Sequence, residues 1–171
     1  MEVRAIKVTE FNEVESLLRD SFTETEQGYQ GEAELVKRIR AEKSYNPEFE
    51  LVAVEAEQVL GHTLMSEVSI GGAEGIALGP VAVRPGLQNR EVGTALLMEA
   101  ERRALEAGYG YISILGSPEY YGTPGYFPAV ELGISAAFEV PEEAFLIKVL
   151  KVDALEDVKG TLRYTSALSK G

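Results

Sequence analysis

Hydrophobic residues along the chain follow two different spacings, which divide its first half into strands and helices. Helical spacing runs from Phe11 to Phe22 and again, as a thinner stripe, from Glu32 to Lys43. Mixed or alternating apolar residues predict strands at Val3 to Val8, Phe49 to Val54 and Val59 to Ile70. The last two segments flank a short polar turn, so we expect them to form a β-hairpin.

The second half contains a strand, a helix and another strand in direct succession. Gly75 to Val83 and Tyr109 to Leu115 are rich in apolar residues, and Val92 to Ala107 between them has helical spacing. The side of this helix that we expect to be buried comprises Leu96, Leu97, Ala100 and Ala104. A strand–helix–strand crossover pairs its two strands in parallel, which predicts an α/β fold.

Strand-like segments continue to the carboxyl end of the chain. They lie at Phe138 to Pro141, Ala144 to Val152 and Gly160 to Thr165. With 171 residues, of which 45% are hydrophobic, the chain is long enough for one well-formed core and short for two. We therefore expect residues 1–171 to form a single domain.

Composition and charge exclude several classes of function. Sixteen Lys+Arg against 28 Asp+Glu leave a net charge of −12, which disfavours nucleic acid and anionic membranes as partners and suits a cationic one. The absence of cysteine excludes thiolate chemistry, and the single histidine, His62, lacks partners for a metal site. The amino-terminal sequence has no signal-peptide pattern and no apolar run is long enough to span a membrane, so we expect a cytoplasmic protein.

The stretch from Gly79 to Gly93 has the character of a phosphate-binding loop. A short β-branched strand runs into a turn rich in Pro and Gly and then into the polar start of a helix. Backbone N–H groups converge there beside the positive end of the helix dipole, which favours bound phosphate. Arg84 and Arg90 flank the loop and are either phosphate ligands or ordinary surface charges.

Two segments resemble the GNAT-type N-acetyltransferases, and most closely a bacterial subgroup of predicted acetyltransferases. Gln88, Glu91 and Gly93 occupy positions of that family's Gln/Arg-x-x-Gly-x-Gly/Ala signature between a strand and a helix. The block Tyr120 to Phe127 resembles the family's aromatic-Tyr-x-x-x-Gly-Phe segment after the next strand. The resemblance implies a mixed α/β fold whose central sheet is mostly antiparallel, with a splayed parallel strand pair and flanking helices.

The resemblance also implies that the protein uses acetyl-CoA as a co-substrate. In that family the strand ending at Val83 splays from the one ending at Leu115, and the pantetheine arm fills the gap by bonding to backbone groups as an extra strand would. The pyrophosphate then lies on the amides of the loop. The cofactor-binding residues so implied are Val81, Ala82, Val83, Gln88, Asn89, Arg90, Glu91, Val92, Gly93, Thr94, Ser117 and Tyr120.

For catalysis, the resemblance places Tyr121 where many members have the tyrosine that protonates the departing CoA thiolate. Glu67 is the base that we predict, with Glu50 a second candidate, because the hairpin strands direct alternate side chains towards the substrate side. His62 is more typical of a structural residue than of a base. A chain of water molecules is a further alternative, in which case no side chain acts as the base.

Glu91 departs from the family's pattern, because the first glycine of the signature is usual at its position. Glycine allows the backbone to approach the phosphates closely, and a glutamate adds a β-carbon and a negative charge. A side chain directed outward to solvent would leave the amide available. We expect Glu91 to weaken acetyl-CoA binding without abolishing it.

The sequence thus predicts an acetyl-CoA-dependent N-acetyltransferase that transfers an acetyl group directly to a primary amine of a small molecule or peptide. A cationic acceptor fits the acidic charge balance, and strands at the carboxyl end could pair across a homodimer. The alternative is a CoA- or acyl-CoA-binding sensor or interaction module without turnover. No residue of the sequence identifies the acceptor.

Overall fold

The computed structural model describes residues 1–23, 31–43, 45–79, 81–87, 91–115, 125–137 and 145–164. The chain divides into two compact units, each built from two separate segments. The first unit comprises Met1–Met65 and Pro80–Ala100, and the second comprises Ser66–Gly79 and Glu101–Gly171. Each unit is described below by itself.

The strands of the first unit form antiparallel pairs. β1 (Glu2–Ala5) pairs with β2 (Glu50–Glu55), which pairs with the first part of β3 (Gln58–Ile70). The short strand β5 (Ala82–Val83) pairs with β3 as well, with Val83 opposite Gly61 and Ala82 opposite His62. β4 (Ala73–Leu78), which precedes β5 in the chain, belongs to the second unit.

The β2–β3 pairing contains a register shift. Val54 lies opposite Val59, whereas Ala53 lies opposite Gly61, so Leu60 is an extra residue on β3. Such a β-bulge changes which residues of the two strands share a face of the sheet. Here the shift places His62 opposite Val52 and Leu64 opposite Glu50, which puts Glu50 and His62 on the same face.

The helices of the first unit are amphipathic, as the sequence predicts. α1 (Phe11–Thr23) buries Val14, Leu17 and Leu18, and the shorter α2 (Glu32–Arg40) buries Ala33, Val36 and Ile39. α3 (Val92–Glu106) begins in the first unit and ends in the second. Its buried side is the one predicted, comprising Leu96, Leu97, Ala100 and Ala104.

Gly61 allows α3 to approach β3 closely. A β-carbon at this position would lie 2.7 Å from Cγ1 of Val92 and 3.0 Å from Cδ1 of Leu96. Real β-carbons do not approach other atoms so closely, so a larger residue would push the first turns of α3 outward. Gly61 therefore fixes the start of α3 against the strand that carries His62.

The second unit contains the parallel strand pair that the sequence predicts. β4 (Ala73–Leu78) runs parallel to β6 (Tyr111–Leu115), with Ile76 opposite Ile112 and Leu78 opposite Ile114. β9 (Phe145–Val149) pairs antiparallel with β6, and β7 (Phe127–Pro128) pairs antiparallel with β9. The prediction of a mixed α/β fold with a mostly antiparallel sheet, a parallel pair and flanking helices is confirmed.

Two further strands belong to the described part of the second unit. β10 (Gly160–Tyr164) pairs antiparallel with the last part of β3 and parallel with β8 (Ile134–Ala136). A continuous apolar core packs between these elements. Its buried members are Val68, Ile70, Ala77, Tyr111, Ala129, Ile134, Phe145, Ile147, Leu162 and Tyr164.

One segment that the sequence predicts as a single strand forms two strands in the structure. The sequence indicates a single strand from Gly75 to Val83, whereas the structure has β4 ending at Leu78 and β5 beginning at Ala82. Glycine and proline at positions 79 and 80 weaken a strand, and proline has no N–H for a strand hydrogen bond. Before this point the chain has β6 as a neighbour in addition to β3, whereas β5 after it pairs with β3.

Candidate functional site

β5 presents one of its backbone N–H groups away from its pairing partner. Ala82 lies opposite His62, and the N–H of Arg84 donates to the carbonyl of Leu60 at 2.8 Å. Because successive residues of a strand direct their N–H groups to opposite edges, the N–H of Val83 points the other way. There it donates to Oγ of Ser21 in α1 at 3.3 Å. This edge of β5 can accept an extended ligand as it accepts the serine hydroxyl.

The next element described after β5 is α3, which begins at Val92 and is separated from Val83 by eight residues. Val92 and Gly93 are buried and Thr94 is exposed, while the carbonyl of Glu91 accepts the N–H of Ala95 at 2.9 Å. The first N–H groups of a helix lack partners within the helix and favour an anion. The predicted phosphate ligands Gln88, Asn89 and Arg90 lie outside the described residues.

Glu91 is exposed and adopts a φ of +27°, a backbone conformation that favours glycine. Its side chain is exposed, and the expected effect of Glu91 on acetyl-CoA binding stays a prediction. The positive φ explains why a glycine is usual at this position in sequences of the signature. Glu91, just before the start of α3, therefore carries backbone strain that a glycine would not.

Arg84 donates hydrogen bonds to the backbone at the β-bulge. Its guanidinium donates through Nε and Nη2 to the carbonyl of Val59, at 3.2 and 2.6 Å, and lies 3.5 Å from the carboxylate of Glu13. That carboxylate accepts the N–H of Val59 at 2.8 Å. The backbone groups that the register shift would leave without partners are satisfied in this way. The structural reading of Arg84 is therefore favoured over a phosphate ligand, and Arg90 lies outside the described residues.

A cluster of four polar side chains occupies the face of β2 and β3 that the register shift creates. Glu50 and His62 are fully buried, with 0% exposure, and Arg40 at the end of α2 is 14% exposed. The carboxylate of Glu50 accepts hydrogen bonds from Arg40 Nε at 2.9 Å, from Arg40 Nη2, and from the hydroxyl of Tyr45 at 2.7 Å. His62 Nε2 lies 2.8 Å from the same carboxylate.

The partners of Glu50 keep it ionised. Burial alone would raise the pKa of this carboxyl, but the hydrogen bonds from His62, Arg40 and Tyr45 outweigh burial and lower its pKa to about 2. For Tyr45, burial and then the Glu50 carboxylate raise the pKa of the phenol above its usual range. A carboxylate with so low a pKa is a weak base, so Glu50 is a poor candidate for accepting a proton from the substrate.

His62 has one ring nitrogen engaged and one free. Because Glu50 is ionised and can only accept, Nε2 must carry the hydrogen in this contact. Nδ1 is buried and has no hydrogen-bond partner among the residues that the structure describes. The sequence alone gave no signal for this arrangement, nor for the contributions of Ser21, Arg40 and Tyr45.

Glu67, the predicted base, lies on β3 within the second unit and is half-buried. Its carboxylate accepts a hydrogen bond from the hydroxyl of Tyr109 at 2.8 Å. Burial, together with this carboxylate, raises the pKa of Tyr109 to about 12. Tyr109 precedes β6 and so stands at the amino end of the parallel pair, whereas α/β proteins bind ligands at the carboxyl ends. These surroundings favour a structural role, and the assignment of Glu67 as a base stays a prediction.

The predicted tyrosine block is described only from Gly125 onward. Tyr126 is 7% exposed, and its hydroxyl donates to Oε2 of Glu101 at 2.9 Å, while Lys148 Nζ lies 2.6 Å from Oε1. Burial and then the Glu101 carboxylate raise the pKa of Tyr126 above its usual range. Three predicted site residues, Ser117, Tyr120 and Tyr121, lie outside the described residues.

Two classes of site find no support in the described parts of the chain. No group of three or more His, Cys, Asp or Glu side chains there is arranged to hold a metal ion. Among the helices described, none is long and apolar enough to cross a membrane.

Comparison with known proteins gives consistent results. A sequence model of the acetyltransferase (GNAT) family matches residues 11–120, which is more than half of the chain. The uncharacterized N-acetyltransferase YhbS of Escherichia coli K12 is 29% identical over 154 residues, covering 88% of each chain. Another uncharacterized N-acetyltransferase of that strain, YjhQ, is 29% identical over 121 residues, covering 68% of this chain and 67% of YjhQ.

Solved structures agree in fold. The crystal structure of E. coli YhbS in complex with CoA superposes with a TM-score of 0.80 at 27% identity, covering 95% of this chain and 88% of that one. A GNAT family acetyltransferase from Brucella melitensis in complex with acetyl-CoA gives a TM-score of 0.70 at 29% identity, covering 88% of each chain. The resemblance seen in the signature loop and the tyrosine block is confirmed, and the chain belongs to the acetyltransferase (GNAT) family.

Proposed function

We propose that this protein transfers an acetyl group from acetyl-CoA directly to a primary amine of a small molecule or peptide. The observation that carries the proposal is the arrangement of β5, whose Val83 N–H is turned away from β3 and which is the strand that precedes α3 in the chain. A strand edge followed by a helix start suits a ligand that has an extended amide chain at one end and a pyrophosphate at the other. The CoA and acetyl-CoA complexes of the two similar proteins support this assignment.

Several backbone groups would hold acetyl-CoA. The edge formed by Val81, Ala82 and Val83 would bind the pantetheine arm, and the amides from Gln88 to Thr94 would bind the pyrophosphate. Ser117 and Tyr120 are proposed as further contacts from the resemblance alone. The N–H of Val83 donates to a side-chain hydroxyl rather than to a neighbouring strand, so a ligand that displaced Ser21 could take its place.

The bound molecule would supply an activated thioester. The backbone N–H near Val81 would polarise the thioester carbonyl, which stabilises the negative charge that develops on its oxygen. Tyr121 would donate its hydroxyl proton to the departing sulfur, because a thiolate is a better leaving group when it is protonated as it departs. No covalent intermediate on the protein is needed when the amine attacks the thioester directly.

The acceptor is proposed to be cationic. A net charge of −12 concentrates positively charged amines near the protein and raises their encounter rate, although it does not determine the shape of the acceptor site. Polyamines, aminoglycosides and lysine side chains share the required primary amine and positive charge.

Glu91 favours a second candidate, a CoA- or acyl-CoA-binding sensor without turnover. A glutamate with positive φ at the head of α3 places a carboxylate in the loop where two phosphates would lie. A protein that binds acyl-CoA weakly and without chemistry could tolerate this charge. The exposed position of the side chain weighs against such a role, since a carboxylate that points to water repels phosphate less.

One experiment separates the two candidates. Release of CoA thiol is followed with acetyl-CoA and a panel of primary amines, for the native protein and for Tyr121→Phe. We expect the native protein to release thiol with at least one cationic amine. The variant should do so about 100-fold more slowly with little change in acetyl-CoA affinity, because only proton donation is lost. Acetyl-CoA binding by the native protein without thiol release from any amine would establish the sensor instead.

A calorimetric titration with acetyl-CoA examines the loop. Glu91→Gly removes the carboxylate and relieves the positive φ, so acetyl-CoA should bind more tightly than to the native protein. Met98→Ala, which changes an exposed side chain of α3 without altering charge, is the matched control. Equal acetyl-CoA affinity of Glu91→Gly and native protein would show that Glu91 does not limit binding.

A further inference from the structure

We propose that Gly61 is a positioning residue for acetyl-CoA, because it fixes the distance between the strand edge and the helix start that hold the two halves of this ligand. The inference rests on the proposed function, which assigns the pantetheine arm to β5 and the pyrophosphate to the start of α3. Its structural basis is that the missing side chain of Gly61 leaves room for both elements at once.

Gly61 lies against β5 within the sheet. It is opposite Val83, and beside this pair the N–H of Arg84 donates to the carbonyl of Leu60 at 2.8 Å. A β-carbon on Gly61 would lie 3.0 Å from the carbonyl oxygen of Ala82. This part of β3 therefore holds the strand whose Val83 N–H the proposed function assigns to the pantetheine arm.

The first turns of α3 pack against the same glycine. A β-carbon there would lie 2.7 Å from Cγ1 of Val92 and 3.0 Å from Cδ1 of Leu96. Carbon atoms pack best at about 3.5–4.0 Å, so the start of α3 would have to move by about 1 Å to admit a methyl group. Val92 is β-branched and buried, which leaves its side chain little freedom to turn away, so the helix itself must move.

The distance between the two elements matters for a ligand that binds at both ends. Two linked parts of one molecule bind far more tightly than the same parts free, provided that the protein holds their sites at the matching distance. Hydrogen bonds weaken beyond about 3.2 Å between the heavy atoms, so a movement of about 1 Å is large on this scale. Gly61 therefore contributes to the affinity for intact acetyl-CoA through the two elements that it positions.

Ordinary close packing is the competing explanation, since other glycines are crowded too. The three atoms nearest to a β-carbon on Gly75 all belong to Tyr111, and one on Gly110 would lie 2.7 Å from Cβ of Ala154. Each of these approaches involves a single residue within the second unit. The atoms nearest to Gly61 come instead from two elements of the first unit, β5 and α3, which the proposed function assigns to one ligand.

The test compares the binding of intact acetyl-CoA with that of its two parts, S-acetylpantetheine and adenosine diphosphate. Calorimetry measures the intact ligand and NMR titration the weaker parts, for the native protein and for Gly61→Ala. We expect the affinity for acetyl-CoA to fall about 10-fold, as for the loss of one hydrogen bond to a charged group, and the affinity for each part to fall less than about threefold.

Gly110→Ala is the matched control for this comparison. It makes the same chemical change at a similarly crowded glycine, but in the second unit. It should lower the thermal stability of the protein and keep the affinities for acetyl-CoA and for both parts.

A second variant changes the same contact from the helix side. Val92→Ala removes the atom nearest to Gly61, so it should loosen the start of α3 and weaken the binding of intact acetyl-CoA by about threefold, again with little effect on the two parts. This variant decides the matter if Gly61→Ala does not fold. Gly61→Ala combined with Val92→Ala exchanges volume between strand and helix, and should bind acetyl-CoA about threefold more tightly than Gly61→Ala. Leu97→Ala truncates another buried residue of α3 that is not among the atoms nearest to Gly61, and should restore nothing.

The outcomes distinguish the inference from the function on which it rests. Unchanged acetyl-CoA affinity in Gly61→Ala, or equal losses for acetyl-CoA and its two parts, overturns the role of Gly61 and leaves the proposed acetyl transfer intact. A loss in Gly110→Ala as large as in Gly61→Ala overturns it as well, because crowding alone would then explain the effect. A native protein that does not bind acetyl-CoA overturns both.

Discussion

Glu50 and Glu101 are each held by a tyrosine and a cation, yet the two clusters differ in burial and in the number of their partners. Glu101, in the second unit, bonds Tyr126 and Lys148, and its side chain keeps 17% exposure. Glu50, in the first unit, bonds Tyr45 and Arg40, is fully buried, and has His62 as an additional partner. The Glu50 cluster also contains the buried Nδ1 of His62, which has no hydrogen-bond partner among the described residues. The same polar pattern thus holds elements together in both places, but at different depths of burial.

The largest difference should be in stability. Glu50→Ala leaves Arg40 buried without its partner, and breaking a buried pair costs about 3–5 kcal/mol in the free energy of unfolding. Glu101→Ala leaves the buried hydroxyl of Tyr126 without an acceptor, which costs about 1–2 kcal/mol, because Lys148 can turn to water. Chemical denaturation of the two variants measures both values. Similar losses would show that the clusters do not differ in the way their burial indicates.

A smaller difference should appear in acid. The pKa of Glu50 is lowered in the folded protein from 4.5 to about 2, so its stabilising contribution is complete above about pH 4.5 and is lost as the pH falls towards 2. The contribution is about 3 kcal/mol, from about 1.4 kcal/mol for each pH unit. Glu50→Gln should flatten the decline of unfolding free energy in this range.

Glu101→Gln is the control for that measurement. It retains the titration of Glu50, so it should keep the acid-dependent loss of the native protein. If both variants decline alike between pH 4.5 and 2, the acid sensitivity arises elsewhere.

The smallest expected effect concerns the bulge on which the first cluster depends. Arg84→Met removes both donors to the carbonyl of Val59, and an unsatisfied backbone carbonyl costs about 1–2 kcal/mol. Because the bulge places His62 and Glu50 on one face, the NMR signals of the single histidine should shift as well. Arg102→Met, which removes a solvent-exposed pair with Glu106, should cost less than about 0.5 kcal/mol and leave those signals unchanged. An unchanged histidine spectrum in Arg84→Met would show that the register holds without this arginine.

The register shift also marks where sequence reasoning ends. Local spacing was sufficient for α1, for the buried side of α3 and for the parallel crossover, because periodicity reports each of these directly. A regular hairpin with the same turn would place His62 opposite Leu51 and on the other face from Glu50. Insertion of Leu60 moves the pairing by one residue, and a slip of one residue exchanges the two faces. The spacing of apolar residues from Val59 to Ile70 gives no sign of this inserted residue.

The side chains that stabilise the shift come from distant parts of the chain. Glu13 belongs to α1 and Arg84 follows β5, and each contacts the backbone of Val59. Such contacts are set by tertiary packing, so a polar residue on a predicted helix or loop gives no sign of them. The same holds for Arg40, which reads as an ordinary basic residue near the end of a helix. The need for glycine at position 61 likewise becomes clear only from the structure, because it depends on how closely α3 packs against β3.

The serine hydroxyl on Val83 has a consequence for affinity. Because Ser21 already accepts the N–H of Val83, a ligand that binds this edge exchanges one hydrogen bond for another. The Ser21 hydroxyl competes with the ligand for the N–H of Val83, so the net gain in binding free energy is the difference between the two hydrogen bonds. A ligand must therefore align better with this N–H than the hydroxyl does at 3.3 Å. Binding at this edge is then a competition between the ligand and the Ser21 hydroxyl for the N–H of Val83. An extended ligand that aligns poorly with this N–H would not displace the serine.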